Sequence, residues 1–268
     1  MRNLSIFLLL GISLNSNAQE LFVMTEPASN APAGSLGVRV GQSLMKNEFG
    51  SGTMYNLSPE ITWGINKNLM VRGSSFLSNE SNQFGLKGGG AYAKYRFLSV
   101  DDMQSHFRMA VFGRYSYNNS AIHQEAIDLT GGNSGYEAGL VATQLIHKVA
   151  ISSSVSYVRA MNNDAYDFPE LSGKSAVNYT FSVGKLMYPK KYTSFKQTNI
   201  NAMLEFVGQT ITENGKSYLD AVPSIQFIIN SQARIDLAYK KELYSSVHRY
   251  STDGIFLKLE YTFFNVTK

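Results

Sequence analysis

The sequence contains no cysteine. That excludes disulfides, thiolate catalysis, cysteine-ligated zinc and a lipid-modified N-terminal cysteine. Proline is scarce at 6 residues, and a single Trp stands beside 16 Tyr and 16 Phe. Charged residues make up only 16 %, low for a water-facing surface of this size. The formal charge of +4 is spread along the chain without a basic run, which argues against nucleic acid as a partner. None of the 4 histidines forms an i, i+4 pair with another, so neither a metal site nor a cofactor is expected. Acidic loop residues Asp164, Asp167 and Glu170 read as a solvated loop rather than a calcium site. Beyond the first eighteen residues there is no apolar run near the ~20 residues that a membrane-spanning helix needs.

Those first residues have a pattern of their own. Met1-Arg2-Asn3 is a short basic start, Ile6 to Leu14 is a brief apolar core, and Ser16-Asn17-Ala18 supplies small residues for cleavage. Residues 1–18 are therefore expected to be a signal peptide cut near Ala18, and loss of Arg2 lowers the charge to +3 (4 − 1). Residues 19–34 are expected as a periplasmic N-terminal segment, 35–264 as one barrel, and 265–268 as a short C-terminal tail.

What is present is alternation. From Val177 to Val183 the odd positions are Val, Tyr, Phe and Val, and the even ones are Asn, Thr and Ser. A strand turns successive side chains to opposite faces, so the segment has one apolar and one polar face. Leu36, Val38 and Val40 oppose Gly37, Arg39 and Gly41; Leu257, Leu259, Tyr261 and Phe263 oppose Lys258, Glu260 and Thr262. The same reading recovers segments at 55–63, 107–117, 149–157, 199–206, 219–229 and 234–240, with less regular ones at 69–78, 86–97 and 135–146. That makes twelve strands, each of about ten residues, a length that crosses the apolar layer of an outer membrane when tilted. Tight turns at 65–68, 147–148 and 230–232 alternate with long polar loops near 118–134, 160–174 and 244–254. The segments 98–105 and 187–197 are longer than tight turns.

A soluble sandwich alternates too, but its polar face meets water and should be rich in Lys and Glu. Here that face carries Gly, Ser, Thr and Asn with interspersed charges of both signs, as a crowded lumen would. Apolar faces tend to end in aromatics (Trp63, Tyr95 and Phe97, Tyr115 and Tyr117, Tyr261 and Phe263), which suits the interfacial girdles of a membrane barrel. The expected fold is thus all-β, a transmembrane antiparallel up-and-down barrel of about twelve strands. Its partners would be outer-membrane lipid and, through the aromatic last strand Gly254–Phe264, the barrel-assembly machinery.

Two stretches carry a family resemblance. Leu57-Ser58-Pro59-Glu60-Ile61-Thr62-Trp63-Gly64 with the turn to Leu69, and Ala91-Tyr92-Ala93-Lys94-Tyr95-Arg96-Phe97, resemble segments of the outer-membrane channel family associated with the meta-pathway of phenol degradation. The resemblance implies an outer-membrane barrel that acts as a solute channel.

The polar face predicts the interior. Over the first five strands it carries Arg39, Glu60, Arg72, Lys94, Arg96, Arg108 and Arg114, six basic against one acidic, a net +5. Over the last four it carries Glu205, Asp220, Arg234, Asp236, Lys240, Lys258 and Glu260, three basic against four acidic, a net −1. These fourteen residues are the expected lumen lining, either paired across strands or forming a basic wall that favours small anionic solutes. Glu60 and Arg72, across the Asn66-Lys67 turn, are the first candidate pair. No catalytic set emerges: His106 and His147 fall at turns, His123 and His248 in loops, and none lies in the His-x-Ser context of barrel phospholipases. The Gly85–Gly90 stretch lacks the Gly-Lys-Ser/Thr ending of a phosphate loop. The reading is a passive channel for small solutes. A plugged structural barrel that binds a partner through its loops is the alternative, and a lipid hydrolase comes third. Residues 118–135 are compatible with a loop folded into the lumen or projecting from it.

Overall fold

The computed structural model describes residues 22–46, 52–80, 83–122, 124–163, 166–168, 172–190 and 196–267. The signal peptide and its Ala18 junction, His123, Asp164 and Glu170 lie outside the described residues. Twelve strands follow one another along the chain: β1 Leu36–Lys46, β2 Thr53–Gly64, β3 Leu69–Ser78, β4 Gly85–Asp101, β5 Ser105–Asn118, β6 Ser134–Ile146, β7 Val149–Met161, β8 Ser175–Tyr188, β9 Asn199–Ile211, β10 Ser217–Ile229, β11 Ala233–Ser245 and β12 Gly254–Phe263. Each pairs antiparallel with its sequence neighbours, and β1 also pairs with β12, closing the sheet. At the seam Leu36 faces Trp63 on one side and Phe263 on the other. Closure leaves no strand edge with unpaired backbone groups, the condition for standing in lipid.

The alternation works as the sequence requires. In β8, Tyr179 and Phe181 point outward at 38 % and 47 % exposure, while Ser182, the next residue along the strand, is fully buried inside. Large apolar side chains are exposed all around the wall, among them Val38, Ile61, Val111, Leu140, Val155, Leu204, Leu237 and Leu259. In water such a surface would be an aggregation liability; in a bilayer it is the solvated face. Aromatic side chains gather toward both rims, with Trp63, Tyr95, Phe97, Tyr188, Tyr261 and Phe263 at the short-turn end and Tyr115, Tyr117, Tyr136, Tyr157 and Tyr244 at the other.

Connections are short at one end, apart from residues 189–198 between β8 and β9, and mostly longer at the other. The 65–68 turn is held by the Asn66 carboxamide, whose Oδ1 accepts from the N–H groups of Asn68 and Leu69. Asn230 and Ser231 take left-handed conformations (φ 53° and 56°) to join β10 to β11 in a tight turn. The segment 98–105, expected as a long connection, is mostly strand. A bulge between Arg96 and Leu98 shifts the alternation by one residue, which hides the continuation of β4 to Asp101. Only residues 102–104 remain as the turn.

The short-turn rim is sealed by both ends of the chain. Gly34 (φ +70°) lets the chain turn into β1, and a Cβ there would lie 2.5 Å from the Thr267 carbonyl oxygen. The Gly34 carbonyl in turn accepts from the N–H groups of Val266 and Thr267. The tail after β12 is thereby a clasp at the seam, reinforced by Trp63 Nε1 donating to Thr267 Oγ1 at 3.3 Å.

Candidate functional site

An extended segment crossing the inside of a barrel exposes one N–H and one C=O per residue, and each needs a partner. Residues 22–32, part of the 19–34 segment ahead of the barrel, cross it. They run inside the wall at the short-turn end as a strap, and the wall side chains satisfy them. Glu205 of β9 is fully buried, and its carboxylate accepts from three successive N–H groups: Val23 at 2.9 Å, Met24 at 3.0 Å and Thr25 at 2.8 Å. Thr25 Oγ1 and Ser182 Oγ of β8 are 2.8 Å apart, and the Ala28 N–H donates to Thr143 Oγ1 of β6 at 2.8 Å. Lys94 of β4, only 1 % exposed, donates to the carbonyls of Pro27 at 2.7 Å and Ser29 at 2.8 Å. Lys258 of β12 donates to the Val23 carbonyl, and Arg108 of β5 to Ser29 Oγ at 2.8 Å. Apolar anchorage comes at the start, where Phe22 and Val23 pack with Met203, Val222 and Ala238, and again at Ala28, which packs with Ala110 and Val141.

The strap also brings a charge. Glu26 lies 2.5 Å from Arg72 Nη1 and 3.7 Å from Lys94 Nζ. Beside it remains a cavity of about 80 Å³, lined among others by Arg39, Arg72, Lys94, Arg234, Lys258, Glu26 and Glu260, five basic against two acidic. That volume holds a few waters, not a sugar.

At the opposite end the 119–133 connection folds inward. Ile122, Ala126, Ile127 and Leu129 are buried against Val158, Ala160, Phe168, Ala176, Ile211 and Val247. Gln209 of β9 pairs with the Ile127 backbone both ways, accepting its N–H and donating to its C=O, each at 2.9 Å. The 246–253 connection packs beside it: Tyr250 N–H donates to Gln124 Oε1, and Arg249 reaches Asp220 with two hydrogen bonds of 2.6 and 2.8 Å and Glu242 with one of 2.5 Å. The Arg249 guanidinium carbon also sits 4.0 Å from the centre of the Tyr218 ring.

Of the fourteen expected interior residues, Arg39, Lys94, Glu205, Asp220, Arg234 and Asp236 are buried, and most of the fourteen are engaged in ion pairs or hydrogen bonds. Arg39 meets Glu60 directly across β1–β2, with Glu260 at 3.9 Å on its other side. The Glu60–Arg72 pair is present at 3.6 Å, but it is diagonal, because Arg72 stands opposite Thr62 and gives its shortest bond to Glu26. Arg114 pairs with Glu137 at 3.3 Å, Arg108 with Asp101 at 3.1 Å, and Arg234 with Asp236 at 3.1 Å and Glu260 at 2.7 Å. Arg96 donates to the Lys67 carbonyl at the rim, and Lys240 to the Ser251 carbonyl. Glu26, Asp101, Glu137 and Arg249 complete this network without having been read as interior from sequence. Counting Glu26 of the strap, Asp101 at the end of β4 and Glu137 of β6 beside the seven wall residues of the first five strands gives six basic groups against four acidic ones, a net +2. Glu205 faces Val222 and Ser182 across its two ladders, so no wall residue in register neutralises it, and the strap N–H groups meet it instead. Of the histidines, His106 is bonded through Nδ1 to Asp101 at the β5 start, His147 occupies a left-handed turn, and His248 lies in the 246–253 connection.

A closed twelve-stranded antiparallel barrel, apolar outside and ion-paired within, is an outer-membrane β-barrel. Among solved structures it is similar to the KdgM porin (TM-score 0.51, 8 % identity, 85 % of this chain and 99 % of the porin). It is also similar to an outer membrane channel from Pseudomonas putida F1 (TM-score 0.57, 11 % identity, 90 % of this chain and 100 % of the channel). At these identities the likeness is one of fold. No protein-family model and no curated protein sequence matches the chain.

Proposed function

We propose that the chain is a passive channel for small solutes, with a preference for anions set by its basic side. The observation that carries this reading is an inner wall built largely from charged and hydroxyl side chains, with an apolar core only at the long-loop mouth. Such a wall can exchange its contacts with water and ions at little cost. The shared fold with a porin and an outer membrane channel supports the reading. Membership of the phenol-associated channel family belongs to the same proposal. It is supported by the two resembling stretches, which lie in β2 with its turn to β3 and in β4.

The mature protein, refolded into planar bilayers under a salt gradient, tests the proposal. We expect discrete conductance steps and a reversal potential on the anion side. Arg39→Glu should move that potential toward cations. A silent bilayer from protein shown to be folded and inserted would favour the second reading, a plugged barrel that acts through its long loops. The two filled mouths are the observation behind that second reading.

A further inference from the structure

The short-turn mouth contains a carboxylate in a place where the wall has prepared for one. Glu26 comes from the strap, whereas everything that binds it comes from the barrel. Arg72 Nη1 is at 2.5 Å and Lys94 Nζ at 3.7 Å, both side chains nearly buried, at 11 % and 1 % exposure. Arg72 is itself oriented by Thr62 Oγ1, 3.0 Å from its Nε, so it would keep its direction if Glu26 left. Tyr92 lies beside this pair, its ring centre 5.3 Å from the Arg72 guanidinium carbon and 5.5 Å from that of Arg114. Its hydroxyl is buried and has no hydrogen-bond partner among the described residues. A buried hydroxyl left without a partner costs free energy unless something else fills the position. A cavity adjoins Glu26, Arg72 and Lys94, on a side that Tyr92 does not line.

These features share one chemistry. An arginine fork and an ammonium suit an anion with two oxygens on one carbon. We propose that Arg72 and Lys94, with the Tyr92 ring beside the Arg72 guanidinium, form a binding site for small organic carboxylates, and that Glu26 is its tethered occupant. The proposal deepens the channel reading by naming a solute class and rests on that reading for its purpose, though binding itself requires no conduction. A free carboxylate entering the site competes with Glu26, and whatever displaces Glu26 removes one of the strap's attachments. Glu205 grips the strap's backbone independently, so displacement loosens the strap without expelling it.

The absence of cysteine makes the test direct. Val23, 2 % exposed in the strap, is replaced by cysteine, and its rate of maleimide labelling is followed in the full mature protein in detergent. Succinate is compared with chloride at matched ionic strength. Because one charge-assisted hydrogen bond is at stake, succinate should raise the labelling rate by roughly tenfold. In the Val23→Cys/Glu26→Gln double variant, labelling should already be fast, and succinate should add nothing. Equal rates in succinate and chloride would overturn the site. So would an acceleration as large in the Glu26→Gln background, which would mark a general salt effect. Should Val23→Cys fail to give the heat-modifiable folded barrel, Met24→Cys serves the same comparison. Failure of the channel reading looks different: a silent bilayer with succinate-dependent labelling keeps the site and loses the channel, whereas conduction with flat labelling does the reverse.

Discussion

The two mouths of the barrel are closed by opposite means. At the short-turn end an extended strap is held mainly by polar bonds from seven of the strands, and its apolar anchorage is limited to Phe22 and Val23 at its start and Ala28 further on. At the long-loop end Ile122, Ala126, Ile127 and Leu129 make a small apolar core with the wall. Water or a solute ion can replace a polar contact almost one for one, but nothing in water replaces a buried isoleucine. The short-turn closure should therefore respond to ions and to wall charges. The long-loop closure should behave as part of the folded body.

The sharpest way to break this contrast is Glu205→Ala. Three strap N–H groups lose their acceptor together, and docking should weaken by roughly 3 kcal/mol, the order of the charged hydrogen bonds removed. Limited proteolysis should then cut the strap while the 119–133 connection stays resistant. Unchanged protection of the strap would refute the polar account. A smaller effect is expected from Ile127→Ala, which should destabilise the long-loop closure by about 2 kcal/mol, the lower end for a truncated core isoleucine. It should leave strap proteolysis as it was, and thermal unfolding of the barrel would report the loss. Smallest of all is the response of the long-loop mouth to acid. Burial alone would raise the Glu125 carboxyl. The hydrogen bonds from Lys216 Nζ and the His248 backbone N–H outweigh it and hold the group below its usual range. A depressed carboxyl contributes stability above its unfolded value and loses it as pH falls through the folded one. Proteolysis of the 119–133 connection should thus rise only below the ordinary carboxylate range, and Glu125→Gln should flatten that dependence. A loosening that sets in near neutral pH would point to a different group.

The barrel was legible because its code has period two and depends only on which side chains meet lipid. Val177 to Val183 declares its faces without help from any other strand. Legibility failed where the period slipped or where small residues blurred it. The bulge at Arg96/Leu98 disguised the end of β4, and Gly135, Ala138 and Gly139 around Glu137 left β6 without a contrast strong enough to mark that carboxylate as interior. The strap was illegible for another reason. Its hold on the wall runs through backbone N–H and C=O groups, which every sequence has, so residues 22–32 read as an ordinary linker. Glu26 and Arg249 sit outside the strands, where no alternation assigns a direction. The fourteen wall residues could be placed inside by periodicity, but not paired, because pairing also depended on partners from the strap and the loops.

The strap's attachments also carry information about time. Its partners come from β3, β4, β5, β6, β8, β9 and β12, with Lys258 lying 235 residues from Val23. No partly zipped sheet presents that set of groups at one place, since β12 joins β1 only when the cylinder shuts. Contacts of such separation form late in folding. Complete docking of the strap thus requires the closed cylinder, and its arrival would report, from inside, that the seam between first and last strands has closed.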